Sequence, residues 1–184
     1  MSFDDNTEEA YQCRRMYDFC REALLRQCPW AFARRIAPLA LTNHTSPLWG
    51  FLYAYPADCV FVRRVFGGKG PAAVFESRQE GSMGRGWDVF SVSEAEKVIA
   101  ANIPAAHLDY THDVKDAGLF PPDFVAALYY YLAAELSMSL AADANLKQLN
   151  FQLMQSALRE GMKQNGNESK GWLERRSAVL EARL

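Results

Sequence analysis

Several features that mark functional sites are scarce or absent in this 184-residue sequence. Its 20 Lys and Arg are outnumbered by 22 Asp and Glu, and the net charge of −2 excludes the strongly basic composition of proteins that coat nucleic acid. None of the four cysteines stands in a C-x-x-C pair, so free thiols are favoured over a zinc site or a disulfide framework. The N-terminal residues lack the apolar run of a signal peptide, and we expect synthesis in a cytoplasm.

Motifs that carry enzymatic chemistry are missing as well. The glycine-rich stretch at residues 67–71 lacks the spacing of a phosphate-binding loop, because its Lys69 lies inside the run. The sequence contains no G-x-S-x-G nucleophile elbow. His107 and His112 have aspartates beside them, but on a strand their side chains would point to opposite faces. We therefore expect no catalytic residue, no metal ligand and no bound cofactor.

Apolar periodicity predicts three helices, at about residues 7–27, 122–142 and 144–165. In the first, Asn6 and Glu9 have the spacing of an N-terminal cap, and Pro29 stops the helix. Its predicted core stripe consists of Ala10, Cys13, Tyr17, Cys20 and Leu24. Arginines and acids share the outer face at spacings that allow ion pairs.

The central helix contains the most apolar stretch of the chain. Residues 124–142 hold a single charge, Glu135, together with two serines and three consecutive tyrosines. A membrane span needs about twenty mainly apolar residues, which this run barely reaches. We interpret it as a helix buried on nearly all sides, with Glu135 as a satisfied core acid that pairs with an arginine of the first helix.

The third helix is predicted to begin at Asp143 or Asn145 and to be closed by Gly166 within a polar linker. Its predicted core stripe consists of Leu146, Leu149, Leu153, Ala157 and Leu158. A separate C-terminal segment follows at about residues 170–184. It is short and amphipathic, and such a helix needs a surface to lie on.

Residues from about 30 to 115 have another pattern, with short segments rich in Val, Phe, Ile and Tyr between turns. Strands are predicted within residues 32–41, 59–66, 72–77 and 87–92. The predicted fold class is α+β, mainly α. It is a helical bundle with a small inserted antiparallel β region, in one domain spanning residues 1–184.

Three stretches of the chain, taken in order, carry a family resemblance. They are CRRMYDFCREALLRQCPWAFARR at residues 13–35, YAYPADCVFVRRV at residues 53–65 and YTHDVKDAGLFPPDFVAALYYYLAAELSMSLA at residues 110–141. In this order the chain resembles the head-to-tail adaptor subunits of short-tailed bacteriophages, also called tail accessory factors or tail tubular protein A-like proteins. The resemblance covers about residues 7–165.

The resemblance implies a structural subunit, not an enzyme, in a dodecameric ring at the neck of a virion. The ring lies under the portal protein, a tail tube or nozzle protein docks below it, and double-stranded DNA passes through the lumen without specific binding. No membrane is involved. The C-terminal segment is expected to reach the portal, and the docking candidates are Trp172, Leu173, Arg175, Arg176 and Val179. The candidates for contact between subunits are Arg14, Arg15, Asp18, Arg21 and Glu22.

Two other classes of protein remain open at this level. A virion-associated cell-wall hydrolase would need a carboxylate with a raised pKa in a cleft, for which Glu135 is the residue to test. A membrane-associated protein would use residues 124–142 as its anchor. Lysis of cell wall in a gel would identify the first, and fractionation with carbonate would identify the second.

Overall fold

The computed structural model describes residues 6–67 and 86–181, with side chains to residue 166. The chain divides into two compact units. A helical unit comprises residues 1–33 and 114–184, and a sheet unit comprises residues 34–113. The predicted strand at 72–77 and the side chains of the five portal-docking candidates lie outside the described residues.

The helical unit contains α1 (Glu8–Gln27), α2 (Pro122–Leu140) and α3 (Ala144–Glu181), with a short 3₁₀ helix, Ala117–Leu119, before α2. As predicted, α2 begins at the proline pair, where Pro122 occupies the first turn and needs no N–H partner. Its link to α3 is tight, with Ala142 in the left-handed region at φ 51°. The Asp143 carboxylate then accepts from the backbone N–H of Asn145 and Leu146, at 2.8 and 3.1 Å, and caps α3.

Two predicted helix ends are wrong. The cap of α1 is Thr7, whose hydroxyl accepts from the backbone N–H of Ala10 at 3.3 Å, so it stands one residue after the predicted Asn6. Gly166 does not close α3, which continues to Glu181 without the predicted linker. A single glycine costs a helix only about 1 kcal/mol relative to alanine, which the rest of a 38-residue helix can offset.

The core of the helical unit is built around Trp30, which follows α1. Its indole N–H donates to the carbonyl oxygen of Leu24 at 3.0 Å, and its ring meets the edge of Phe124 at 5.3 Å. Helix α3 approaches this ring closely because position 161 is glycine. A Cβ there would lie 2.8 Å from the Trp30 ring and 3.1 Å from the Cβ of Asp123.

The sheet unit consists of six strands in two antiparallel sheets within the described residues. The strands are β1 (Arg34–Pro38), β2 (Phe51–Ala54), β3 (Cys59–Phe66), β4 (Trp87–Ser91), β5 (Lys97–Ala101) and β6 (His107–His112). Their orders are β1-β6-β3 and β2-β5-β4. The core that both sheets share consists of Tyr53, Val62, Val65, Ile99, Ala101, Ala106, Leu108 and Tyr110.

The predicted helical bundle with a small β insertion is therefore wrong. The chain has a small α+β fold in which the strands form a compact unit of their own. The physical reason is that β2, β5 and β6 complete two sheets and enclose an apolar core, whereas the prediction did not resolve these three as strands. Of the predicted strands, β1, β3 and β4 are present within the expected ranges.

Candidate interaction surfaces

The charged face of α1 contains four of the five residues predicted for subunit contact. Arg14, Arg15, Asp18 and Glu22 are exposed. Arg21 is not, because only 1 % of its surface is accessible. Whether the exposed four contact another subunit stays a prediction.

Arg21 has an internal role instead. Its Nη1 donates to the carbonyl oxygen of Val114 at 2.9 Å, and its Nη2 donates to Asp18 at 3.1 Å, as the helical spacing predicted. Arg21 lies on the same helix face as the buried Leu24 and Leu25. Its burial was not predicted because a charged side chain is usually assigned to the exposed face of a helix. A backbone carbonyl and a carboxylate stabilise the guanidinium there.

Helix α2 has one buried face and one apolar face that is largely open. Phe124, Ala127, Leu128, Ala134 and Ser137 are buried. The opposite side carries the α2 stripe, which we define as Val125, Tyr129, Leu132, Leu136 and Leu140. Tyr129 is 66 % exposed and Val125 is 48 % exposed, so the prediction of a helix buried on nearly all sides is wrong for the single chain. Across the described part of the chain, no helix has the length and apolar character that crossing a membrane requires.

A second open stripe lies on α3. The predicted core leucines Leu146, Leu149 and Leu153 are exposed, and we call them the α3 stripe. Of the predicted stripe, Leu158 is buried as expected and Ala157 is partly buried, and the other buried positions are Met154 and Gly161. The described part of α3 thus has two apolar faces, one buried and one exposed. Contiguous exposed apolar surface of this kind marks interaction sites in soluble proteins.

Glu135 is half-buried and pairs with Lys147 of α3 at 3.3 Å, rather than with an arginine of α1 as predicted. The carboxylate of Glu135 interacts electrostatically with Cys20 and Tyr131. Burial, with a smaller contribution from Glu135, raises the pKa of the Cys20 thiol to about 12. Burial also raises the pKa of Tyr131. Cys20 is therefore a protonated thiol at neutral pH and a poor nucleophile.

A small aromatic pocket opens beside Trp30. Phe32, Phe120 and Phe124 form mutual ring contacts at centroid distances of 4.8 to 5.9 Å. The pocket has a volume of about 180 Å³, and Asp123 and Asn165 contribute polar atoms to its lining. Asn165 is engaged with the chain itself, since its Oδ1 accepts from the backbone N–H of Ala31 at 2.6 Å. Neither Trp30 nor Asp123 was predicted as part of a site, because nothing in their sequence spacing links them.

The face of the β1-β6-β3 sheet that carries Asp109 and Thr111, opposite to the core residues Leu108 and Tyr110, holds an arginine cluster that the sequence did not indicate. Asp109 of β6 is 4 % exposed, and it accepts from Arg34 of β1 at 2.7 and 3.0 Å and from Arg64 of β3 at 3.1 Å. Arg63 donates from Nε to Thr111 at 2.9 Å on the same face. We call Arg34, Arg63 and Arg64 the arginine face. The register of strands more than forty residues apart brings them together, which no local pattern encodes.

Asp58 contacts both β1 and β6 in the sheet unit. Its carboxylate pairs with Arg35 and accepts from the hydroxyl of Tyr110 at 3.1 Å. Burial raises the pKa of Tyr110. Asp58 lies in the turn before β3, where the N–H of Cys59 donates to the carbonyl oxygen of Pro56 at 3.0 Å. These contacts connect the turn before β3 to β1 and β6, so Asp58 has a structural role.

His107 and His112 lie at the two ends of β6, where they pair with Phe66 and Cys59 of β3. His107 stacks on Phe66 at 5.7 Å, and His44 pairs with Glu96 at 3.1 Å. Within residues 6–67 and 86–166, no three His, Cys, Asp or Glu side chains come together as a metal site would require. Comparison with known proteins adds no relative, because no protein-family model and no curated protein matches the chain.

Proposed function

We propose that this chain is a structural subunit of a bacteriophage head-to-tail adaptor, which forms a ring between the portal protein and the tail. The ring is dodecameric, as in the family that the sequence resembles, and it lies in the neck of the virion. Double-stranded DNA passes through its lumen without sequence-specific binding. A tail tube or nozzle protein docks on the side away from the portal.

One observation carries this proposal: apolar surface on two helices is left open by the single chain. Both the α2 stripe and the α3 stripe include aliphatic side chains at least 38 % exposed, and α2 adds the open ring of Tyr129. Aromatic and aliphatic side chains are enriched at the buried centres of protein contacts. Burying such a stripe against a neighbouring subunit contributes about 25 cal/mol for each Å² removed from water.

The occupant that we assign to these stripes is a second copy of the chain. A closed ring needs a heterologous contact, in which two different faces of one subunit meet two neighbours. The stripes provide an apolar face, and α1 provides a charged face with Arg14, Arg15, Asp18 and Glu22 exposed. The C-terminal part of α3, which contains the five docking candidates, is left for the portal.

The test is assembly on portal rings from the phage that encodes the chain, viewed by negative-stain electron microscopy. The variant Tyr129→Glu/Leu149→Glu places one carboxylate in each stripe. Both positions are more than half exposed, so the chain is expected to fold while the added ring of density below the portal is lost.

The matched control is Ile36→Glu/Phe61→Glu, which adds two carboxylates at exposed apolar positions of the sheet unit. It is expected to assemble as the unmodified chain does. A truncation lacking residues 171–184 is expected to fold and to bind portal poorly. A wild-type chain that stays monomeric beside portal, or a folded stripe variant that still forms rings, would overturn the proposal.

A further inference from the structure

The aromatic pocket beside Trp30 lies within the helical unit, between the chain that follows α1, the start of α2 and residues 161–165 of α3. Trp30 is buried, whereas Phe32 and Phe120 are partly exposed, so a group that enters the pocket meets aromatic rings. The ring centroid of Phe32 is 5.9 Å from that of Trp30 and 5.9 Å from that of Phe120. Pockets that enclose whole small molecules measure about 300–1,000 Å³. A volume of about 180 Å³ therefore suits a single side chain.

One carboxylate lies beside these rings. Of the described residues that line the pocket, Asp123 alone carries a charge, and no Lys, Arg or His within the described ranges forms an ion pair with it. Gly161 brings it next to Trp30, because a Cβ at position 161 would lie 3.1 Å from the Cβ of Asp123 and 2.8 Å from the Trp30 ring. Asp123 also lies in the first turn of α2, where the helix dipole favours a negative charge. The dipole accounts for an acid at this position, but not for an acid within an aromatic lining.

Hydrogen bonds within the chain fix the shape of the pocket. The side chain of Asn165 holds the segment after α1, because its Oδ1 accepts from the N–H of Ala31 at 2.6 Å and its Nδ2 donates to the carbonyl oxygen of Pro29 at 3.1 Å. Trp30 lies between these two residues, and its indole N–H donates to the carbonyl oxygen of Leu24. A ligand that enters a pocket already formed loses less free energy to the ordering of side chains.

These features match the side chain of arginine. Its methylene stem is apolar, and its guanidinium group is planar, always charged and weakly hydrated, so it stacks on aromatic rings more readily than the ammonium group of lysine does. The negative face of an aromatic ring attracts such a cation. The Asp123 carboxylate can accept two N–H groups of one guanidinium. An uncharged side chain would instead leave this partly buried carboxylate without a partner.

We infer that the aromatic pocket is a docking site for an arginine side chain of a partner protein. Its small volume favours a side chain that projects from a polypeptide over a free amino acid, whose own ammonium and carboxylate groups would also need partners. The inference goes beyond the adaptor proposal, which assigns the apolar stripes to a second copy of the chain and does not use this pocket. It does not depend on ring formation, since the described lining comes from one subunit.

The experiment is an NMR titration of the ¹⁵N-labelled full-length chain with N-acetyl-arginine-methylamide, which presents the side chain as a polypeptide does. Signals of the Trp30 indole and of the Gly161 and Asp123 amides should shift together, with a dissociation constant of about 1–10 mM. The indole signals of Trp49 and Trp87, which pack in the sheet unit, should not move. The citrulline analogue has nearly the same shape without the charge and should bind at least about ten-fold more weakly. The lysine analogue should bind at least about three-fold more weakly.

Asp123→Asn keeps the shape of the side chain and removes its charge, so it should weaken arginine binding at least about ten-fold and abolish the preference over citrulline. The matched control, Asp116→Asn, makes the same change at an exposed residue outside the described lining. Asparagine can still accept there from the N–H of Gly118, and the affinity should stay within about two-fold of wild type. Circular dichroism melting shows which variants are folded. The citrulline comparison on the wild-type chain tests the inference even if Asp123→Asn is unstable.

Four results would overturn the inference. The first is the absence of shifts in the wild-type chain up to about 50 mM of the arginine compound. The second is equal affinity for the arginine compound and either its citrulline or its lysine analogue, and the third is equal affinity of folded Asp123→Asn and Asp116→Asn. The fourth is tighter binding of free L-arginine than of the blocked compound, which would indicate a metabolite instead of a protein. Ring assembly on portal is scored separately, so arginine binding without rings would remove the adaptor proposal and leave this one standing.

Discussion

The helical unit and the sheet unit differ in the surfaces that they expose. On α2 and α3 the open stripes are aliphatic and aromatic, with Tyr129 as the clearest example. On the β1-β6-β3 sheet the exposed side chains include arginines as well as Ile36 and Phe61, and the buried carboxylate of Asp109 anchors two of the arginines. Apolar contacts strengthen as salts such as sulfate are added, whereas exposed ion pairs weaken with ionic strength. Salt is therefore expected to affect the two surfaces in opposite directions.

The difference also extends to how each surface is supported. The stripes of the helical unit lie on helices whose opposite faces pack around Trp30 and Phe124, so stability depends on close packing. Two residues of the arginine face, Arg34 and Arg64, depend on the single carboxylate of Asp109. Substitutions in the two units should consequently lower the free energy of unfolding for different physical reasons.

The largest effect is expected for Asp109→Asn in the sheet unit. The change leaves Arg34 and Arg64 without their carboxylate and removes three charge-assisted hydrogen bonds. Both arginines can partly rehydrate, so the free energy of unfolding should fall by about 2–3 kcal/mol. Urea unfolding followed by circular dichroism measures this loss.

The matched change is Asp58→Asn, whose pair with Arg35 is about half exposed. It should cost only about 1 kcal/mol, because exposed ion pairs contribute little. Equal losses in the two variants would mean that burial of the Asp109 carboxylate does not set its importance.

In the helical unit, Gly161→Ala should reduce the free energy of unfolding by about 2 kcal/mol. The new methyl group would lie within 3.2 Å of the Trp30 ring and of Asp123, so α3 must move away from the core. Gly166→Ala is the control, since a Cβ there meets nothing within 4 Å. That variant should gain about 0.5–1 kcal/mol from helix propensity. Thermal melts in which both variants shift in the same direction would contradict close packing at Trp30.

A smaller effect is expected from pH above 9. The folded thiol of Cys20 has a pKa of about 12, raised from 9.0, so between these values the unfolded chain loses a proton that the folded chain keeps. Stability contributed by the neutral thiol is thus fully present below pH 9 and declines as pH rises. Between pH 9 and 10, the titration of Cys20 should lower the free energy of unfolding by about 1 kcal/mol.

The contribution of Cys20 to this loss of stability is measured by comparing the midpoints of urea unfolding at pH 8, 9 and 10. Cys20→Ala should flatten the dependence on pH, although the variant is less stable at every pH because its methyl group leaves a cavity. Cys13→Ala on the same helix should keep the wild-type dependence. If stability depends on pH in Cys20→Ala as it does in the wild type, a group other than Cys20 causes that dependence.

The parts of the fold that local chemistry determines could be predicted from the sequence. The start of α2 follows from two prolines, the cap of α3 follows from Asp143, and β3 follows from its run of Val and Phe. Polar turns and apolar periodicity act over a few residues, so these elements do not require knowledge of distant contacts.

The apolar stripes and the arginine face could not be predicted, because each depends on which alternatives the tertiary structure selects. Helix α3 has two apolar faces, and periodicity alone does not say that Met154 and Leu158 are inside while Leu149 is outside. Asp109 meets its arginines through strand pairings distant in sequence, with a bulge that breaks simple alternation. Arg21 is charged yet buried, and one of its partners is the carbonyl of Val114, 93 residues away in the sequence.

The smallest effect on stability, under about 0.5 kcal/mol, is expected for charge reversal on the outer face of α1. Arg15→Glu changes an exposed side chain of the charged face that we assign to ring contacts, so rings on portal should be lost while the melting temperature stays constant. Arg159→Glu makes the same charge change at an exposed position of α3 and should leave rings intact. Micrographs with normal rings for both variants would remove α1 from the subunit contact and leave the apolar stripes as its basis.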